Sequence, residues 1–280
     1  MPANALRLNN VAMIANSGPS FVGPLDVLVA QGAVLIAGFS NRRLAASYLG
    51  APAILQSDDT GNPEASIPFD ANGNIDLAAV TALIGGGTVA RYKTWNDQFS
   101  GRNVTQETQA NQPPFSTATV ATGAVEIASA GASLASASFA ITQPFTVFAV
   151  VKTTSGANRT ILGHLDGTSS IENTCRATTT GAMRGNYKVN AAGPTLTPGT
   201  LGLARFYLNG SSSSIYVNES GTTGLNVGAN NPTGLRPFLD NIGTNGFVGS
   251  CPELIVFSGD PSGLAGWPSF IAATQTYYGL

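Results

Sequence analysis

The chain has 280 residues, a formal net charge of −2 at pH 7, and only 10% charged side chains against 43% hydrophobic ones. That balance supports a sizeable buried core and excludes a disordered chain. With no basic cluster to displace counterions from phosphates, it also excludes nucleic acid as a partner.

In place of charge the sequence carries Ala, Thr, Ser, Asn and Gly. Such a neutral polar surface suits packing against other copies, or presenting hydroxyls and amides to sugars. The longest apolar run, residues 27–39, is broken by Gln31 and Gly32 and is too short to span a bilayer, so no membrane partner is expected. The N-terminal MPANALRLNN has no basic region ahead of an apolar core. No signal peptide is visible, and synthesis in a cytoplasm is expected. Cys175 and Cys251 could pair, but reduced buried thiols fit a chain without a secretory signal better.

Residues 1–32 read as an N-terminal arm, in which Leu6, Leu8, Val11, Met13 and Ile14 could make one edge strand. Residues 33–39 read as a buried strand. Residues 42–48 predict a short helix, with Asn41 as a possible N-cap and Gly50-Ala51-Pro52 as its stop. A strand is expected at 53–56, a polar turn at 57–63, and a second turn at Asp70-Ala71-Asn72-Gly73-Asn74. Residues 75–83 predict another helix, with Asp76 near its start and three glycines from Gly85 ending it. A strand over 89–95 then breaks into the loop from Asn96 to Asn103, dense in side chains that bond their own backbone. Gln112-Pro113-Pro114 forces extension.

Beyond Pro114, short β runs recur at 124–127, 145–152, 159–163, 182–189, 201–208, 213–217, 224–227, 238–242 and 249–257. Residues 145–151, FTVFAVV, are β-branched and aromatic, as a central strand buried on both faces requires. Residues 213–218 alternate in and out. Many short strands at such spacing argue for a sandwich or jelly roll. Residues 264–278 predict a terminal helix with Trp267, Phe270, Ile271 and Tyr277 as its apolar residues.

Several of these pieces come in a recognisable order: Ser47-Tyr48-Leu49-Gly50-Ala51-Pro52, Ser57-Asp58-Asp59, Ile67-Pro68-Phe69-Asp70, Thr94-Trp95-Asn96-Asp97-Gln98, Gly101-Arg102-Asn103 and Ala110-Asn111-Gln112-Pro113. The order resembles the leading segment of the arabinofuranosidase-B-like catalytic domain, which recurs in phage and bacterial proteins ahead of a laminin-G/concanavalin-A-like sandwich. Tyr207-Leu208-Asn209-Gly210 and Glu253-Leu254-Ile255-Val256-Phe257 resemble strands of that sandwich. The resemblance implies an all-β fold: a concanavalin-A-like (laminin-G-like) jelly-roll sandwich over residues 33–280, with an N-terminal arm and a few short helices. Residues 33–114 would be the leading segment and 115–280 would carry the main strands. The motif residues it marks are Trp95, Asp97, Gln98, Gly101, Arg102, Asn103, Gln112 and Pro113. The chain departs from the family at Asn96, where Tyr is usual, and at Phe99, where Ser is usual, and its loop is one residue shorter.

A glycosidase needs two carboxylates roughly 5–10 Å apart across the scissile bond. After Val151 the chain offers Asp166 and Glu172 without the family's surrounding pattern, so no catalytic residue is assigned and no enzyme is expected. Asp58 and Asp59 read as a turn, Asp97 as a cap of loop amides, and Glu253 as sitting near a strand edge. His164, the only histidine, admits a Ser-His-Asp relay with Asp166 or, more plainly, a hydrogen-bonded loop residue. Zinc-ligand spacing is lacking; calcium on Asp166 or Asp240 with loop carbonyls is an alternative. No metal and no cofactor is assigned. For a sugar, the aromatic candidates are Trp95, Tyr187, Tyr207, Tyr216 and Trp267, with core or lid the plainer reading of Trp95 and Trp267.

Taken with the resemblance, these residues lead to the expectation of a non-catalytic virion structural protein of a tailed bacteriophage, a capsid decoration or a tail or fibre component. Its partners would be copies of itself and other virion proteins, met through the arm or residues 116–140. The alternatives are a carbohydrate-binding adhesin reading host surface glycan and a glycoside hydrolase.

Overall fold

The computed structural model describes residues 21–128, 131–166, 174–240, 243 and 245–280. In chain order its elements are α1 (Asp26–Ala30), β1 (Val34–Ser40), β2 (Ala53–Ser57), β3 (Glu64–Ile67), α2 (Leu77–Ile84), β4 (Ala90–Trp95), β5 (Val104–Thr105), β6 (Phe115–Ser116) and β7 (Ala124–Ile127). Then come β8 (Phe145–Thr153), β9 (Arg159–Gly163), β10 (Thr174–Ala177), β11 (Ala182–Asn186), β12 (Asn190–Thr195) and β13 (Gly202–Leu208). The last are β14 (Ser213–Val217), β15 (Ser220–Leu225), β16 (Arg236–Pro237), β17 (Gly249–Ser258) and α3 (Trp267–Tyr278). The protein is mainly β, with antiparallel sheets and few helices.

One sheet runs β15-β14-β13-β8-β17-β7-β6, with β1 also paired to β17; a second runs β12-β11-β10-β9-β16; a third runs β3-β2-β4-β5. Strand β8 explains why the first sheet is central. Its alternate residues Phe145, Val147, Ala149 and Val151 enter the core shared with the second sheet. Phe148 and Val150 point the other way, beneath Trp267, Phe270 and Ile271 of α3 and Leu25 and Leu28 of α1. A strand buried on both faces cannot alternate in polarity, which is why its sequence is a continuous apolar run. Burying each large side chain of α3 contributes about 1.5–3 kcal/mol.

The helix boundaries follow local chemistry. Asp76 caps α2 by accepting the amides of Ala78 and Ala79 at 2.9 and 3.1 Å. Gly279, at φ 69°, ends α3 in the left-handed conformation.

Four expectations are corrected. Residues 42–48 are not helical, and Asn41 caps nothing: its carboxamide bonds the Tyr92 hydroxyl. The Leu44 amide is taken by Gln98 Oε1 at 2.7 Å, and the Arg42 carbonyl by Gln98 Nε2 at 2.9 Å, leaving neither for a helix ladder. The proposed arm does not reach residue 32, since α1 packs with Leu25 and Leu28 fully buried; residues 1–20, with the edge strand considered there, lie outside the described residues. Strand β4 is interior to the small third sheet, not to the main one. The run from 238 does not continue as a strand, because Phe238 takes φ 74° and turns its ring onto Trp95; Asn241 and Ile242 lie outside the described residues.

Candidate functional site

The loop after β4 is built for holding rather than for chemistry. Asp97 is 3% exposed, and its carboxylate accepts amides from Gly38, Phe99, Ser100 and Arg102 at 2.8–3.1 Å. The Asp97 amide donates to Asn103 Oδ1 at 2.9 Å, and Arg102 Nη1 donates to the Ile36 carbonyl at 2.8 Å. Gly101 provides the positive φ, 73°, that the turn needs. Gln112 Nε2 donates to Gln56 Oε1 and to the Gln106 carbonyl at 2.9 Å, while the Pro113 carbonyl accepts the Tyr92 amide at 2.8 Å. Trp95 is fully buried against Phe39, Tyr92 and Phe238. Trp95, Asp97, Gln98 and Arg102 thus tie β1 and the segment after it to this loop, while Gln112 and Pro113 brace the third sheet itself.

Every acid apart from Glu172, which lies outside the described residues, is engaged inside the protein. Asp26, Asp58, Asp59, Asp70 and Asp76 accept backbone amides in turns and caps. Asp166 accepts the Thr233 amide at 2.9 Å, Asp240 the Asn245 amide at 2.7 Å, and Asp260 the Ser262 amide at 3.0 Å. Glu64 and Glu107 pair with Lys93, Glu219 with Arg205, and Glu253 with Arg42; Glu126 accepts the Ser250 hydroxyl. Among the described residues, no group of three or more His, Cys, Asp or Glu side chains is placed to hold a metal ion.

His164 is fully buried. Its Nδ1 lies 2.6 Å from the Gly234 carbonyl, which can only accept, so Nδ1 carries the proton. Nε2 then accepts from the Tyr187 hydroxyl at 2.8 Å, and Cys175 Sγ lies 3.6 Å from that hydroxyl. Burial pulls the imidazole down to about 4 and pushes the Cys175 thiol up to about 12. The chain Cys175–Tyr187–His164–Gly234 is a neutral, saturated core network with no serine in it. Cys175 and Cys251 are both free.

The five aromatic candidates do not form a platform. Trp95 and Tyr187 are fully buried and Trp267 is 4% exposed, so burial removes their faces from solvent. The structure does bring Tyr216 and Trp267 together, around a residue that sequence reasoning passed over. The Arg205 guanidinium lies 3.7 Å from the Tyr216 ring centre and 5.3 Å from that of Trp267. Glu219 accepts from Arg205 Nη2 at 3.2 Å and from Trp267 Nε1 at 3.3 Å. The other face of Tyr216 is covered by Gly221, where an added Cβ would meet the ring at 2.0 Å. Half-buried Tyr207 accepts from Asn209 Nδ2 at 3.0 Å. Cross-strand register, Arg205 opposite Tyr216, was the signal available.

A cleft of about 450 Å³ lies between the Asn72-Gly73-Asn74 turn and the end of α3. In its lining Arg43 stacks on Phe21 at 3.6 Å, and the Tyr277 hydroxyl donates to Asn74 at 2.5 Å.

No protein-family model and no curated protein matches this chain. Among solved structures it is similar to an arabinofuranosidase complexed with arabinofuranosyl-α-1,2-xylobiose (TM-score 0.69, 16% identity). It is also similar to a mutant GH54 α-L-arabinofuranosidase soaked with 4-nitrophenyl α-L-arabinofuranoside (TM-score 0.67, 15% identity) and to a GH54 enzyme soaked with a cyclic sulfate inhibitor (TM-score 0.65, 14% identity). Each comparison covers 90% of this chain and 65% of the enzyme, so the chain spans less than two thirds of their length. At such identity the likeness is one of fold.

Proposed function

We propose that this protein is a non-catalytic, self-assembling structural module with a concanavalin-A-like jelly roll, serving in the virion of a tailed bacteriophage as a capsid decoration or a tail or fibre component. The observation that carries the non-catalytic half is the commitment of the described carboxylates to turns, caps and ion pairs. A two-carboxylate hydrolase needs one acid held protonated and a second held ionised on rigid supports. The pair considered from sequence includes Glu172, outside the described residues, and an Asp166 already engaged by a backbone amide.

The assembling half is supported by the edge strand β15, whose residues Ser220 to Gly224 are exposed and carry no charge or proline. The β14–β15 ladder slips in register between Ser213 and Ile215, but no charge or proline blocks the outer edge, and such an edge is a template for another chain. The virion setting rests on the sequence resemblance. Sedimentation of the purified protein, with mass spectrometry of particles from cells that express it, tests the reading. Oligomers and incorporation into particles are expected; a monomer at high concentration that enters no particle would overturn it.

A further inference from the structure

The two arginines that follow β1 have their charges met differently. Arg42 pairs with Glu253 at 2.7 Å. Arg43, next to it in sequence, is half-buried and has no carboxylate within ion-pair distance among the described residues. Its guanidinium lies 3.6 Å from the ring centre of Phe21, which covers one face, and its Nε is buried without a hydrogen-bond partner. A ligand would therefore meet the terminal nitrogens. A guanidinium half withdrawn from water gains most from a charged acceptor, whose hydrogen bonds are roughly twice as strong as neutral ones.

Arg43 stands in the wall between two clefts, and charge distinguishes them. One, of about 250 Å³, also has Asp70 in its lining. The other, the cleft of about 450 Å³ between the Asn72-Gly73-Asn74 turn and α3, has no acid in its lining among the described residues. An anion is favoured in the second, whose volume falls within the range of small-ligand sites.

The walls of this cleft are fixed without a ligand. The Arg43 amide donates to the Gly73 carbonyl at 2.6 Å, and Asp70 Oδ1 accepts the amides of Asn72 and Asn74 at 2.9 and 2.8 Å. Gly73, at φ 79°, brings the turn against Phe21, where an added Cβ would meet the ring at 2.5 Å. The Tyr277 hydroxyl occupies Asn74 Oδ1 and leaves Asn74 Nδ2 as a donor. Asn72 and Thr276, both exposed, add a carboxamide and a hydroxyl. Phe21 and Val22, the latter 68% exposed, provide apolar wall.

An unpaired cation, carboxamides, a hydroxyl and an apolar wall together match a sugar ring that carries a carboxylate. The carboxamides suit its hydroxyls, the wall suits its C–H face, and the planar carboxylate suits two guanidinium nitrogens side by side. We propose that this cleft binds an acidic sugar, with Arg43 holding the carboxylate of a hexuronic acid residue. The site stands apart from the structural role argued above, since it requires neither assembly nor hydrolysis.

Calorimetric titration of the full chain with digalacturonate and its dimethyl ester, with inorganic sulfate as competitor, tests the proposal. Digalacturonate should bind, the neutral ester should bind at least about tenfold more weakly, as the loss of a charge-assisted contact predicts, and sulfate should not displace digalacturonate at equal concentration. Arg43→Gln should lower affinity by about the same factor. Ala273→Trp, at an exposed position of α3 that lines the cleft, should abolish binding by filling it while the melting temperature holds, and this variant decides the matter where Arg43→Gln does not fold. No binding of digalacturonate, equal binding of the ester, equal competition by sulfate, or unchanged affinity in either folded variant would each overturn it.

Discussion

Arg42 and Glu253, 211 residues apart, meet side-on: Nε lies 2.7 Å from one carboxylate oxygen and Nη2 lies 2.9 Å from the other. Glu253 is fully buried, and Ser40 and Tyr278 donate to the same Oε2 at 3.0 and 3.1 Å. Nη2 also donates to Thr274 at 2.8 Å, so the pair joins β1, β17 and α3. Glu253→Ala would strand a buried guanidinium, at a cost of about 3–5 kcal/mol. Replacing both partners with Met should recover much of that loss, because no charge is then left alone. Urea denaturation of the single and double variants reads both effects; a single variant as stable as the parent would contradict the assignment.

Asp97 should be the hinge of the leading segment's stability. Asp97→Ala removes the acceptor of several amides at once, including that of Gly38 at 2.8 Å, 59 residues away. The expected loss is about 2–4 kcal/mol. Asp97→Asn, which keeps one acceptor oxygen, should fall between. Equal melting temperatures for all three proteins would mean that the loop does not anchor β1.

Trp95→Ala should cost about 3–5 kcal/mol, as for a large aromatic removed from a packed core. Trp95→Phe should cost less, because it also removes an Nε1 that is buried with no partner among the described residues. Thermal melts rank the two; an unperturbed Trp95→Ala protein would contradict the packing described.

His164 predicts a pH dependence with a definite sign. In the unfolded chain an imidazole titrates near 6.5, whereas burial lowers it to about 4 in the fold. Between those values the unfolded state holds more protons, so stability falls as pH drops from about 6.5 towards about 4, by roughly 2–4 kcal/mol in all. Below the lower value this contribution levels off. His164→Asn should flatten that part of the profile while carboxylate titrations remain. Identical stability–pH curves for the two proteins would rule the assignment out.

Local signals were legible where one side of a residue's environment is set by its neighbours in sequence. β7 and β14 fall at the expected residues, Asp76 caps its helix, and the apolar run around Phe148 is the strand buried on both faces. What sequence could not supply was long-range competition for backbone groups. Residues 42–48 have helical propensity, but Gln98 claims the Leu44 amide and the Arg42 carbonyl. Helix α1 is five residues long, too short for periodicity to announce it, and it forms because Leu25 and Leu28 dock beneath α3. The aromatic residues were visible as a set, but their burial was not. Arg43 meets Phe21 and the Asn72-Gly73-Asn74 turn through contacts that no local pattern encodes.

The proposed non-catalytic role rests on carboxylates that are already engaged in turns, caps and ion pairs among the described residues. Turnover of 4-nitrophenyl α-L-arabinofuranoside, followed by release of nitrophenolate with protein at high concentration, tests it most directly. A rate equal to that of buffer alone is expected, with no release of reducing ends from arabinan. Turnover that is abolished by Asp166→Asn, Glu172→Gln or Asp240→Asn, in variants that remain folded, would contradict it and make the protein an enzyme.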